Sequence, residues 1–200
     1  MSGEIVAGLR RTVAAVALAN LAYFFVEFGV ARQIESVSLF ADSVDFLEDA
    51  SVNLLVLVAL GWSQRKRAAV GLVLAGLLLV PGLATLWTAW QKFNLPAAPE
   101  PWLLSATGLG ALAVNLTCAM LLARFRTHGG SLTQAAFLSA RNDAAANIAI
   151  IVAGVAVWLT GSAWPDLIAG LCIGAMNADA AKDVWKAARA ERAATPAAAP

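Results

Sequence analysis

The stretch Leu39-Phe40-Ala41-Asp42-Ser43-Val44-Asp45-Phe46-Leu47-Glu48-Asp49-Ala50-Ser51-Val52-Asn53-Leu54-Leu55-Val56-Leu57 sets four carboxylates within eight residues of an otherwise apolar segment. At the centre of a membrane helix each ionised carboxylate costs roughly 2.5–3.5 kcal/mol to insert. Such a cost is tolerated where the side chains face a wet cavity, a cation, or both. The segment therefore reads both as a membrane helix and as the place to look for function.

The rest of the chain supports the membrane reading. Hydrophobic residues make up 60% of its 200 residues and charged residues 14%, and mean hydropathy is +0.72. A helical span takes about 20 residues, so six spans with short loops use nearly all of it. The predicted fold class is an all-α integral membrane protein of six transmembrane helices. The spans fall at about 12–31, 38–62, 68–90, 102–123, 132–160 and 165–184. Pro81-Gly82 predicts a kink in the third, and Asn94 to Pro101 reads as a rigid polar loop. Residues 1–190 form one transmembrane domain, and 191–200, rich in Ala and Pro, a disordered tail.

Lys and Arg set the topology. Arg10, Arg11, Arg65, Lys66, Arg67, Arg124, Arg126, Lys182, Lys186, Arg189 and Arg192 fall on one side of this scheme, and only Arg32 and Lys92 on the other. Both termini are expected in the cytoplasm, in a bacterial-type inner membrane. Trp62, Trp87, Trp90, Trp102, Trp164 and Trp185 lie near span ends, as interfacial anchors do. The apolar run after Arg10-Arg11 is too long for a cleaved signal peptide. Cys118 and Cys172 lie in apolar runs and read as small buried fillers rather than a disulfide or metal thiolates.

The second and fifth spans echo each other. Asp49-Ala50-Ser51-Val52-Asn53 parallels Asp143-Ala144-Ala145-Ala146-Asn147, each followed by an apolar run. Asp and Asn four apart share a helix face. In the second span Asp42, Asp45, Asp49 and Asn53 fall within an arc of about 80°, with Glu48 roughly another 60° away. In the fifth, Ser139, Asp143 and Asn147 share a face, with Asn142 at its edge. Polar stripes on apolar spans should face each other rather than lipid. Facing stripes gather Asp45, Asp49 and Asp143, with Ser139 or Asn142 as a fourth group. Three carboxylates repel unless protonated or bridged by a cation. A divalent cation with oxygen ligands fits. A proton path without metal and a structural polar network remain open on this spacing.

At these residues the chain resembles the cation diffusion facilitator family of divalent-metal transporters. The resemblance runs from about Asn20 to Lys186. It includes Ser36-Val37-Ser38-Leu39-Phe40-Ala41-Asp42-Ser43-Val44-Asp45, and Gly130-Ser131-Leu132 through Asn147. Family members carry His-x-x-x-Asp or Asp-x-x-x-Asp in the second span, here Asp45 and Asp49, and usually His-x-x-x-Asp in the fifth, here Ser139 and Asp143. The resemblance implies proton-coupled efflux of a transition metal from the cytoplasm, by alternating access, in a homodimer. The cargo it implies is zinc-like, with manganese, iron, cobalt or cadmium as the other candidates. It implies a secondary transporter, not an enzyme, with no cofactor beyond the transported metal and with metal ions, protons and lipid as partners. Metal ligands would be Asp45, Asp49 and Asp143, more weakly Ser139 and Asn142. Asp42, and more weakly Glu48, would serve the extracytoplasmic entrance or the proton path. Two departures stand out. A hydroxyl at Ser139 is a poorer zinc ligand than imidazole, which hardens the site. About fifteen residues follow the sixth span, so the family's usual C-terminal cytoplasmic domain is expected to be missing. A non-transporting partner subunit or metal sensor is the alternative these departures raise.

The remaining polar residues read more simply. Arg141 points about 160° from Asp143 and is expected to pair with Glu48 or Glu27, or to snorkel. Glu27 needs a partner or a cavity, as a structural pair or in the proton path. Asn20 and Asn115 are expected to hydrogen-bond between helices. Asp166 reads as a charge complementing the dipole of its own helix. Asn177 and Asp179 are either caps or vestibule groups. His128 reads as a solvated loop residue. No phosphate loop supports ATP use. The basic loops suit orientation and anionic lipid rather than nucleic acid.

Overall fold

The computed structural model describes residues 3–59, 83–124, 130–177 and 182, and the side chains among them except those of 3–6, 56, 59 and 130–141. The Pro81-Gly82 kink, the 63–67 loop, Trp62, His128, Asp179, Trp185 and the tail lie outside the described residues, as do the side chains of Ser139 and Arg141. Six helices are described: α1 (Gly3–Ile34), α2 (Val37–Ala59), α3 (83–94), α4 (Pro101–Ala123), α5 (Gly130–Thr160) and α6 (164–177). The fold is an all-α membrane bundle, as expected. α1 extends beyond the expected first span at both ends.

Among the described residues, three stretches are long and apolar enough to cross a membrane: Ala7–Ile34, Pro101–Ala123 and Asn142–Thr160. α2 is as long as α4, but every 18-residue window in it contains all four acids. The surface is the stronger argument. Leu18, Phe25, Leu109, Leu116, Met120, Ile148, Val152 and Leu159 point outward, while Asn20, Glu27, Asp42, Asn115, Asn147 and Asp166 are buried. Water would favour the reverse, and lipid favours this. Trp87, Trp90, Trp102 and Trp164 are also exposed. Cys118 is buried as expected, whereas Cys172 is exposed among the outward-facing residues of α6.

The turn between α1 and α2 fixes the first hairpin. Glu35 takes a left-handed φ of 54°, and the Ser36 N–H returns to the Ala31 carbonyl at 3.0 Å. That is the Schellman arrangement, which closes the open carbonyls of a helix end. Ser36 then caps α2, its Oγ accepting the Leu39 N–H at 3.1 Å. Glu100 caps α4 by accepting the Trp102 and Leu103 N–H groups, with Pro101 at the first helical position. Gly161 supplies the positive φ of 61° after α5.

α1 packs along α2, and α4 along α5, over much of their lengths. α2 and α5 meet over a much shorter stretch. An interior space between α2 and α5 follows from that sparse contact.

Candidate metal site

The site is built from the acidic turns of α2. Asp45, Glu48 and Asp49 line a cavity of about 140 Å³. Asn142, Asp143 and Ala146 of α5 form the facing wall, and Ile173, Met176 and Asn177 of α6 close it. Asp45 lies near enough to Asp143, Asp42, Glu48 and Asp49 to feel the charge of each. Asp49 receives the Asn20 amide of α1 at 3.5 Å, a long bond. Ser139 lies on α5 one turn before Asp143. Among the described residues, no three His, Cys, Asp or Glu side chains converge tightly enough to grip a metal ion. In this conformation the site is a carboxylate-lined cavity, not a closed shell of ligands.

Two α2 acids sit differently from the expectation. Asp42, expected at the entrance, is fully buried, and its Oδ2 accepts the Asn147 amide at 2.5 Å. Glu48, expected off the stripe, lines the cavity. The cavity-facing arc of α2 is thus centred on Asp45, about 40° from the middle of the arc expected. The cause is tertiary, because Asp42 turns to the Asn147 amide and packs beside Glu27. Glu27 is fully buried against Asp42, so a pairing with Arg141 is not its described contact. Asn53 is also off the cavity, donating to the carbonyl of Asp49 at 2.8 Å. Asn147 bonds Asp42 instead of lining the site.

Asn177 of α6, read from the sequence as either a cap or a vestibule group, lies at the site. Asn177 donates to the Ala41 carbonyl at 3.1 Å and so ties α6 to α2 beside the cavity. The signal was present as a lone amide in an apolar span, but neither a cap nor a vestibule role could be chosen without its neighbour. Asn20 and Asn115 do bond between helices, Asn115 donating to the Asn147 carbonyl at 2.9 Å.

Asp166 belongs to a different region. Its carboxylate accepts Ser36 Oγ at 2.7 Å, Ser38 Oγ at 2.6 Å and the N–H groups of Val37 and Ser38 at 2.9 and 3.1 Å. It therefore caps α2 rather than serving mainly the dipole of α6. α2 and α6 begin at the same end of the bundle, which brings an early α6 residue to the α2 terminus. Lys92 of α3 donates to the Glu35 carbonyl at 2.5 Å and adds its charge beside Asp166. A larger cavity, about 850 Å³, opens at this end, lined in part by Arg32, Lys92, Trp87 and Trp90. Its two cations make it the poorer seat for a metal.

Taken together, the helices and the acidic cavity define a multi-pass membrane protein with a cation-attracting interior. The model of the cation efflux transmembrane domain matches residues 13–190. The chain belongs to this cation efflux, or cation diffusion facilitator, family, whose members are transporters of metal cations rather than enzymes. No protein of curated function matches the chain.

Proposed function

We propose that this chain exports divalent transition-metal ions from the cytoplasm in exchange for protons, with Asp45, Asp49 and Asp143 as the metal-binding groups. One observation carries the reading: carboxylates from α2 and α5 open onto a single interior cavity. Metal arriving from the cytoplasm displaces protons from these groups. The bundle rocks to the other side, and external protons displace the metal. The described conformation, with the acids lining an open space, suits a site that tightens only when cargo enters. Glu48 on the rim concentrates cations. Ser139, Asn142 and water complete the shell. An oxygen-rich shell widens the cargo from zinc toward manganese and iron(II), with cobalt and cadmium also admitted. The chain works as a homodimer in an inner membrane with both termini in the cytoplasm, the side rich in Lys and Arg.

A second reading, a non-transporting partner or metal sensor, is favoured by Ser139 at the position where the family usually carries His. Flux into proteoliposomes separates the two. Zinc, manganese, iron(II), cobalt and cadmium are compared with and without a pH gradient. Uptake driven by the gradient supports transport, and no movement of any metal supports the partner reading.

A further inference from the structure

A second pair of acids lies apart from the cavity. Glu27 of α1 and Asp42 of α2 are both fully buried, and their carboxyl groups meet side by side. Among the described residues, neither Glu27 oxygen nor Asp42 Oδ1 has a donor. The other Asp42 oxygen, Oδ2, accepts the Asn147 amide, and the Asn147 carbonyl accepts Asn115 at 2.9 Å. With Asn115 donating, the Asn147 amide turns its NH₂ end to Asp42. The chain of donors runs one way, Asn115 to Asn147 to Asp42, and leaves Asp42 as an acceptor. Among the described residues, the other titratable groups around the pair are Tyr23 of α1, whose hydroxyl is engaged by the Thr107 carbonyl of α4 at 2.6 Å, and Asp45 of α2. Neither is a cation.

Two ionised carboxylates side by side in an apolar interior are each costly to desolvate, and they repel. One proton removes one charge and converts the contact to a charge-assisted hydrogen bond. We propose that Glu27 and Asp42 hold one proton between them, carried on the Glu27 carboxyl and donated to Asp42 Oδ1, as a proton site separate from the metal cavity. While loaded, the proton clamps α1 to α2 one helical turn from Asp45. When it leaves, two like charges push those helices apart. Its use in transport rests on the proton-coupled reading above; its presence does not.

Infrared spectroscopy of the full chain in lipid, metal-free and at neutral pH, tests the proton directly. The expected result is a protonated-carboxyl carbonyl band that moves down in frequency when glutamate is labelled with ¹³C and is lost in Glu27→Gln. A band that ignores glutamate labelling, or no band at all, overturns the proposal. The latter outcome would mean that another group, such as Arg141, meets the charge. If Glu27→Gln does not fold, the isotope-sensitive band must persist in Glu48→Gln, and its loss there overturns the proposal. A labelled band together with metal flux that ignores pH would keep the proton site and sink the proton-coupled reading. Proton-driven flux without the band would do the opposite.

Discussion

Asp166 and the cavity acids are both carboxylates inside a membrane bundle, yet they live in opposite surroundings. Asp166 is fully buried and accepts four hydrogen bonds from Ser36, Val37 and Ser38, with Lys92 close by. Asp45, Asp49 and Asp143 are only partly buried and face an open space with one another's charges. The first carboxylate is matched by donors, so it holds helices together. The second set gathers like charges around an open space, an arrangement that favours a cation among them. Burial of a charge in a membrane protein is thus no guide to its role until its donors are counted.

The comparison is most exposed at Asp166. Asp166→Ala leaves the Ser36 and Ser38 hydroxyls and two α2 N–H groups without their acceptor. It should destabilise the fold by about 4 kcal/mol, at 1–3 kcal/mol for each stranded group with partial rescue by water. Reversible unfolding in mixed micelles reads this directly, and a variant as stable as wild type would break the contrast. Gly170→Ala strikes the same joint from α6. An added Cβ would lie 2.6 Å from the Val37 carbonyl carbon and 2.7 Å from the Ser38 nitrogen, both backbone atoms that cannot swing aside. A loss of about 2 kcal/mol is expected from such overpacking, measured in the same way. Lys92→Met removes one donor from the Glu35 carbonyl and one charge beside Asp166, for about 1.5 kcal/mol. The cavity should respond in the other direction. Asp49→Asn and Asp143→Asn relieve repulsion and should leave stability within about 1 kcal/mol of wild type, or raise it. A large loss of stability in either would make the cavity acids structural too.

Much of the fold was legible because apolar runs of span length leave few alternatives, and the echo of Asp49–Asn53 in Asp143–Asn147 paired the second and fifth spans. The candidate site was legible because four acids in eight residues cannot be explained as lipid contact. What a helical projection could not give was the neighbours. It put Asp42 inside the functional arc and Glu48 outside, but angles on an isolated helix say nothing about Asn147, whose amide draws Asp42 away. Asp166 was assigned to its own helix dipole because the sequence does not reveal that α2 begins beside it. Asn177 was undecided for the same reason, since its partner is a backbone carbonyl of α2.

The central claim is that the α2 and α5 carboxylates form the cargo site, and metal flux into proteoliposomes under a pH gradient tests it most directly. Wild-type chain should move a divalent transition metal, and Asp49→Asn and Asp143→Asn, folded and reconstituted to the same level, should each lose at least about tenfold of that flux, in keeping with the sensitivity of metal sites to the loss of a coordinating or supporting group. Flux in both variants equal to wild type would contradict the account.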